Sequence, residues 1–308
     1  MKYISCQPEI KYFAWQLDVM LFSFEKVGIN LSDVQILCSV ASDRGSEKFC
    51  FSYLEDKYPG ISVHRYEDDR PDKTYIPSIK HHLLYKHYEK HPELKHESIF
   101  FHDSDIIFTK NPGLEKYENS DIWHLSDTVS YLGYEYIISK GRDTLETMLI
   151  TAGMEEDLVK RNQKNSGGAQ YVLRNVDAEF WRECRDMGVN LYKMTNVYEN
   201  AKHKNNPEYH KLQVWTAEMW ATIWNAWKRG IETRVEKELD FCWATDTLNR
   251  WNECSIYHNA GVTDSSSGMF YKGAYIGNSP FDTDLKLDEK RCSFLYYETL
   301  KEANRKIH

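Results

Sequence analysis

The triplet Asp103-Ser104-Asp105 lies between two apolar runs, Ile99-Phe100-Phe101-His102 and Ile106-Ile107-Phe108. Side chains at i and i+2 of an extended chain point to the same side, so Asp103 and Asp105 converge. Two uncompensated anions beside a buried strand are costly to desolvate, and a divalent cation with oxygen ligands, Mg²⁺ or Mn²⁺, is the simplest remedy. A hard cation in turn suits a diphosphate. A solvated Asp-Ser-Asp turn is the plain alternative, and the apolar flanks argue against it. His258, in Ile256-Tyr257-His258-Asn259-Ala260-Gly261, is the candidate third ligand. A neutral imidazole suits Mn²⁺, and a ligand from a distant loop would close the site, although a lone histidine is more often structural.

The elements that must position these residues follow from hydrophobic period. Tyr3 to Cys6 reads as a strand, Tyr12 to Val27 as a helix ended by Gly28, Val34 to Val40 as a strand, Ser46 to Tyr58 as a helix closed by Pro59-Gly60, and Ile61 to His64 as a strand. A helix opens at Ile76-Pro77-Ser78 and runs to about Lys90, leading into the strand Ser98 to His102. Alternation of this kind predicts an α/β fold with a mixed, mainly parallel central sheet flanked by helices, and functional loops at the strands' carboxyl ends. Asp121 to Ile138 reads as two strands, Asn165 to Gln170 as a polar loop, Asp177 to Met187 as a helix, and Gln213 to Arg229 as an aromatic helix stopped by Gly230. The tail after Ile256 reads as loop-rich. With no repeat or linker, one domain is expected over 1–308, comprising a nucleotide-binding half (1–110), an acceptor-side half (111–255) and a closing segment (256–308).

In the aromatic helix, about 100° per residue puts Trp220, Trp224 and Trp227 on one face, which reads as core, and Glu218, Thr222 and Asn225 on the opposite, cleft-facing side. Composition sets the outer bounds. The chain has 308 residues, 41% hydrophobic and 14% aromatic, which is ample for burial-driven folding. Its formal charge of −8 argues against gripping polyanions over the whole surface. Seven scattered cysteines without a CxxC pair fit a reducing compartment. No run approaches the roughly 20 apolar residues of a membrane span, and no secretory segment is read at the start, so a cytoplasmic protein of a bacterium or virus-infected cell is expected.

The stretch Ile99 to Phe108 resembles the DxD strand of GT-A-fold, nucleotide-sugar-dependent glycosyltransferases, and the β–α order before it is the order that fold requires. The resemblance implies several further roles. Lys80, after Tyr75-Ile76-Pro77-Ser78-Ile79, is implied to lie near the nucleotide, Ser5 and Gln7 near the base, and Asp103, Ser104 and Asp105 at ribose, metal and phosphate. Asn165, Gly167, Gly168 and Gln170 resemble the small-residue loop beside the donor sugar. Ile256 to Gly261 resembles the late H-x-x-G segment of glycogenin-like transferases, whose His completes the metal site. The Lys-Pro-Trp clamp that follows in that family is missing here, and Lys272 is the nearest substitute. Glu218 matches a carboxylate facing the acceptor. A comparable Glu-Met-Tyr segment in plant hydroxyproline arabinosyl- and peptidyl-serine galactosyltransferases implies retention of configuration.

Uridine is the expected base, with Tyr75, Tyr131, Tyr134 and Tyr136 as candidates for stacking or hydrogen bonding. Ser166 to Tyr171 and Asp240 to Asp246 also resemble segments of transferases encoded by large tailed phages, which implies a hydroxymethylated DNA base as one acceptor. Lys80, His81, His82, Lys86, His87, Lys90, His91, Lys95 and His96, with Lys202, His203, Lys204 and Lys211, could track phosphates. A solvated helix face explains them equally, and glycan, protein or small-molecule acceptors stay open. The competing classes are a non-catalytic sugar-binding module and a metal-dependent phosphodiesterase.

Overall fold

The computed structural model describes residues 1–40 and 50–306. In chain order the elements are β1 (Lys2–Pro8), α1 (Lys11–Lys26), β2 (Val34–Val40), α2 (Ser52–Lys57), β3 (Ser62–Glu67), α3 (Ile79–Lys90), β4 (Ile99–His102), β5 (Ile106–Phe108), β6 (Trp123–Ser126), α4 (Val129–Leu132) and α5 (Tyr134–Ser139). They continue with α6 (Arg142–Ala152), α7 (Glu156–Arg161), β7 (Gly168–Leu173), α8 (Ala178–Asn205), α9 (Ala217–Lys228), β8 (Thr233–Val235), β9 (Phe241–Trp243), α10 (Leu248–Glu253), β10 (Ile256–His258) and α11 (Cys292–Arg305). Residues 46–49 of the helix predicted over Ser46–Tyr58 lie outside the described residues.

The chain divides into two compact units, each discontinuous in sequence. Unit 1 is Met1–Glu67, His102–Lys116 and Glu238–His308, and unit 2 is Asp68–Phe101 and Tyr117–Lys237. In unit 1, β1, β2 and β3 pair in parallel in the order β3-β2-β1, with Cys6 opposite Leu37 and Leu37 opposite His64. A second sheet, β5-β10-β9, joins β10 antiparallel to β5 and parallel to β9. In unit 2 the order is β4-β7-β6-β8, with β7 antiparallel to β4 and β6, and β6 parallel to β8. The architecture is a mixed, mainly parallel α/β fold with helices flanking the sheets, as alternating β and α periods require. No helix among the described residues is long and apolar enough to cross a membrane.

Three expectations are corrected. The second strand expected within Asp121–Ile138 is helical, as α4 and α5. The cause is a distant cap: the Glu135 N–H donates to Gln163 Oε1 at 3.0 Å, and Gly133 has no room for a side chain, since a Cβ would lie 2.7 Å from both that oxygen and the Val129 carbonyl. A tertiary bond here outweighs the β preference of Tyr and Ile. The helix expected over Asp177–Met187 continues to Asn205 as α8. Its start is capped by Asp177, and its far half is held by buried Glu199, which accepts from Thr144 Oγ1 (2.7 Å), the Tyr209 hydroxyl (2.9 Å) and the Leu212 N–H (2.6 Å). The loop-rich tail ends in α11, whose Cys292, Tyr296, Leu300 and Ala303 form a buried stripe at helical spacing.

The tryptophan stripe of α9 is core. Trp220, Trp224 and Trp227 are all buried, and the Trp220 indole donates to the Leu132 carbonyl at 2.9 Å. Trp215, one turn earlier, is 60% exposed. Trp220→Ala is therefore expected to lower unfolding stability by about 3–5 kcal/mol, and Trp215→Ala by less than about 0.5 kcal/mol, read by denaturant titration. Equal effects would contradict this assignment of core and surface.

Candidate active site

In unit 1 the register of the small sheet assembles the carboxylate site. Pairing of β10 with β5 sets His258 opposite Ile106, and the Asn259 N–H extends the ladder to the Asp105 carbonyl at 2.9 Å. His258 Nε2 thereby lies 3.3 Å from Asp105 Oδ1 and 3.9 Å from Asp103 Oδ2. One ligand atom from each of Asp103, Asp105 and His258 lies within 4.8 Å of the others. Two hard carboxylates and one imidazole make a donor set that fits Mn²⁺ or Mg²⁺. His258 Nε2 faces the carboxylates, while its buried Nδ1 has no protein hydrogen-bond partner among the described residues. The ring is steadied by Trp243, directly opposite on β9, which stacks on it at 5.5 Å and 14°.

The Lys272 ammonium bonds Asp105 Oδ2. Its placement follows from Phe270, two residues earlier, which is fully buried among Trp15, Tyr275, Tyr296 and Tyr297, with its N–H donating to Ser293 Oγ at 2.6 Å. Helix α11 thus supplies the floor on which the Lys272 segment is anchored. Burial alone would raise the Asp105 carboxyl, but the Lys272 ammonium and the His258 imidazole beside it hold it well below the usual carboxylate range. Burial disfavours the Lys272 charge, and the Asp105 carboxylate reverses that, so the ammonium is held above its ordinary value.

In unit 2 a second buried carboxylate is fixed in a similar way. Glu218 opens α9, and its Oε1 lies 2.9 Å from Lys80 Nζ while its Oε2 accepts from the Tyr75 hydroxyl. The same hydroxyl lies 2.6 Å from the Trp215 carbonyl and accepts from the Glu218 N–H at 3.0 Å, and the Tyr75 ring stacks on Tyr192 at 4.6 Å. Burial first, then the Glu218 charge, pushes the Tyr75 phenol well above its ordinary value, so it stays a donor. The Thr222 hydroxyl donates to the Glu218 carbonyl and sits 2.8 Å from His81 Nε2, which ties α9 to α3. The polar loop expected over Asn165–Gln170 ends at Gly167, because Gly168 to Gln170 open β7, paired with β6; a Cβ on Gly168 would lie 2.6 Å from Met219 Cε on α9, and one on Gly167 would lie 2.4 Å from Leu125 Cβ on β6.

The structure brings Asp103, Asp105, His258 and Lys272 together in unit 1, and Lys80 and Glu218 together in unit 2. Ser104 is buried beside the two aspartates. Ser5 and Gln7 are buried on β1, and Ser5 Oγ and Gln7 Oε1 have no protein partner among the described residues. Gln170 is buried too, its Oε1 accepting from Ser126 at 2.6 Å and its Nε2 without a protein partner, while Asn165 is half-buried.

Thr222 and Asn225 do not face a cleft; both are buried, and Asn225 bonds the Ala221 carbonyl at 2.9 Å and the sulfurs of Cys184 and Met187. Tyr75 and Tyr134 are buried and bonded to Glu218 and Glu156, and the Tyr136 hydroxyl accepts from the Gln213 N–H. The basic run is partly interior: His81, His82 and His87 are buried, and Lys86 pairs with Asp69 at 2.5 Å. Trp243 and Phe270 were not singled out from sequence. The run Asp240 to Asp246 carried the only signal for the first, and the second had none.

No protein-family model matches the chain, and no curated protein is similar to it in sequence. Among solved structures, 97% of the chain is similar to the bifunctional glycosyltransferase WbbM in its apo form, with a TM-score of 0.51 and 11% identity. The chain spans about half of that protein, 49% of its length. It is also similar to the galactosyltransferase LgtC in complex with donor and acceptor sugar analogues (TM-score 0.45, 10% identity, 100% of both chains). A third is mouse xyloside xylosyltransferase 1 in its apo form (TM-score 0.39, 9% identity, 83% of this chain and 96% of that one). The fold is that of the GT-A glycosyltransferases.

Burial, with the Lys80 charge beside it, lowers His81 from its ordinary value to about 3. The unfolded chain takes up this proton near pH 6.5 and the folded chain only near 3, so the His81 contribution is complete above pH 6.5 and is lost as pH falls toward 3. The slope approaches about 1.4 kcal/mol per pH unit within that window. His81→Gln is expected to flatten the decline in unfolding stability between pH 6 and 4, measured by denaturant titration at each pH; an unchanged slope would place the titrating group elsewhere.

Proposed function

We propose that the chain is a metal-dependent glycosyltransferase that moves a hexosyl or pentosyl group from a nucleotide sugar, a UDP-sugar first, to a hydroxyl acceptor, with residues 1–308 forming one catalytic domain. The observation that carries this reading is the convergence of Asp103, Asp105, His258 and Lys272 within a GT-A fold. Asp103, Asp105 and His258 would hold Mn²⁺ or Mg²⁺. When bound, the ion supplies positive charge for the departing diphosphate.

The chain's own groups supply the rest. Lys272 adds a mobile charge for phosphate oxygens. Ser5 and Gln7, with buried oxygens that lack protein partners among the described residues, are suited to hydrogen-bond the base or ribose, and Gln170 Nε2 is a buried donor suited to a sugar hydroxyl. Glu218 has one oxygen on an ammonium and the other on a phenol. That engagement suits a fixed negative charge stabilising an oxocarbenium-like transition state more than a base receiving the acceptor's proton, and it supports retention.

For the acceptor, burial of three histidines of the basic run and pairing of Lys86 weaken a nucleic-acid track, as does the charge of −8. A glycan or protein hydroxyl is the reading we adopt.

A panel of nucleotide sugars incubated with Mn²⁺ is expected to show selective transfer or slow hydrolysis of one donor, abolished by chelation. Asp105→Ala and Glu218→Gln are each expected to lower kcat/KM by about 10²-fold or more, with thermal melting confirming that the variants fold. Equal turnover by wild type and Asp105→Ala overturns the reading. Release of nucleoside monophosphate regardless of the sugar points to a phosphodiesterase, and glycan binding without nucleotide or metal to a lectin.

A further inference from the structure

Both oxygens of Asp105 are engaged by side chains of unit 1: the Lys272 ammonium on Oδ2, and His258 Nε2 3.3 Å from Oδ1. The aspartate is 7% exposed, so water does little to screen it. Lys272 therefore provides the close positive charge that makes the burial of Asp105 tolerable. Yet the same carboxylate is one of the three donors that fit a divalent cation. An ammonium and a doubly charged ion on one buried carboxylate repel strongly, so the two compete for it.

Charge counting gives the sense of the competition. Asp103, Asp105 and Lys272 sum to −1. A divalent ion brings the sum to +1, so that Asp105 no longer needs the ammonium, and the two charges of a nucleotide sugar's diphosphate return it to −1 and give the ammonium a new partner. The means of exchange is also present. Lys272 lies in a short helical turn, Lys272–Tyr275, of the 259–291 segment, its side chain is 27% exposed, and its four-carbon stem lets the ammonium re-aim while Phe270 keeps the backbone anchored.

We propose that Lys272 is an exchangeable counter-ion: it neutralises Asp105 until a divalent metal takes that carboxylate, and is then released to the donor's diphosphate, so that metal and diphosphate bind cooperatively. The inference rests on the donor reading above and adds to it an exchange at Asp105: a lysine fixed on phosphate would leave the affinity for the metal alone unchanged when it is removed, whereas an exchangeable one would not. Because coupling between two ligands is reciprocal, it is measurable from either side.

The test is calorimetric titration of the full chain with Mn²⁺ alone, with Mn²⁺ in saturating UDP, and with UDP in saturating Mn²⁺. For wild type, UDP is expected to tighten Mn²⁺ binding about tenfold or more. Lys272→Met is expected to bind Mn²⁺ alone about five- to tenfold more tightly, and UDP with Mn²⁺ about tenfold more weakly, which collapses the coupling. Lys272→Arg is expected to keep the wild-type pattern.

Mn²⁺ affinity that is unchanged or weaker in Lys272→Met overturns the competition, and undiminished coupling in that variant overturns the release. Should Lys272→Met fail to fold, Lys272→Gln takes its place in the same titrations, and independent binding of Mn²⁺ and UDP to wild type refutes the release on its own. If wild type binds Mn²⁺ but no UDP, the donor reading falls with the release step, while the Mn²⁺-alone comparison separately judges the competition at Asp105.

Discussion

Two carboxylates two residues apart, one of them buried, cannot be left without positive charge, and the organisation of unit 1 follows from that constraint. The β5–β10 pairing sets His258 against Asp105, the β9–β10 pairing sets Trp243 against the imidazole, and α11 with Phe270 fixes the segment that delivers Lys272. The strands among these elements are short: β5, β9 and β10 have three residues apiece. Strands of that length are not self-sustaining. They are held by the aromatic cluster beneath them, in which Trp15, Tyr257, Phe270, Tyr296 and Tyr297 are all buried. The polar site on one side of this sheet and the apolar packing beneath it are therefore one structural problem, and a change in the cluster would be felt as a displacement of His258 or Lys272.

Unit 2 meets a similar constraint by different means. Glu218 is on a regular helix, and its partners come from residues close together in sequence, Tyr75 and Lys80, just before and within α3. The His81–Thr222 contact then fixes α3 to α9 one turn further on. Consecutive residues 80 and 81 thus hold the side chain and, through Thr222, the backbone carbonyl of the same glutamate. Met219, next to Glu218, limits the space at Gly168, so the position of the small-residue loop and that of the carboxylate are set by one helix.

What was legible in the sequence was what depends on neighbours along the chain. The apolar flanks of Asp103-Ser104-Asp105, the β–α alternation up to Lys90 and the tryptophan stripe of α9 are local patterns, and the structure has them in kind. What was not legible depends on distance in sequence. The Lys80–Glu218 pair spans 138 positions and the cap from Gln163 to Glu135 spans 28, and no periodicity reports either. Helix α11 was hidden for another reason: its buried stripe is built from Cys, Tyr, Leu and Ala among charged neighbours, so its contrast is weak although its spacing is helical. Lys272 stands where the family's Lys-Pro-Trp triplet is missing, and its pairing with Asp105, 167 positions away, has no local signature.

The two buried carboxylates differ in one respect that bears on their roles. Each is held by a lysine and a ring-bearing partner, Asp105 by Lys272 and His258, Glu218 by Lys80 and Tyr75. Around Glu218 the second partner is a phenol, which stays protonated and offers only a proton. Around Asp105 it is an imidazole, with the Asp103 carboxylate 3.9 Å from the same Nε2, and these atoms are themselves donors to a cation. A carboxylate among protonated donors is held as a fixed charge, whereas one among other metal-binding atoms is available to a competing cation. The groups beside the two lysines, more than the similar ion pairs themselves, separate a carboxylate built to stay charged from one built to change partners.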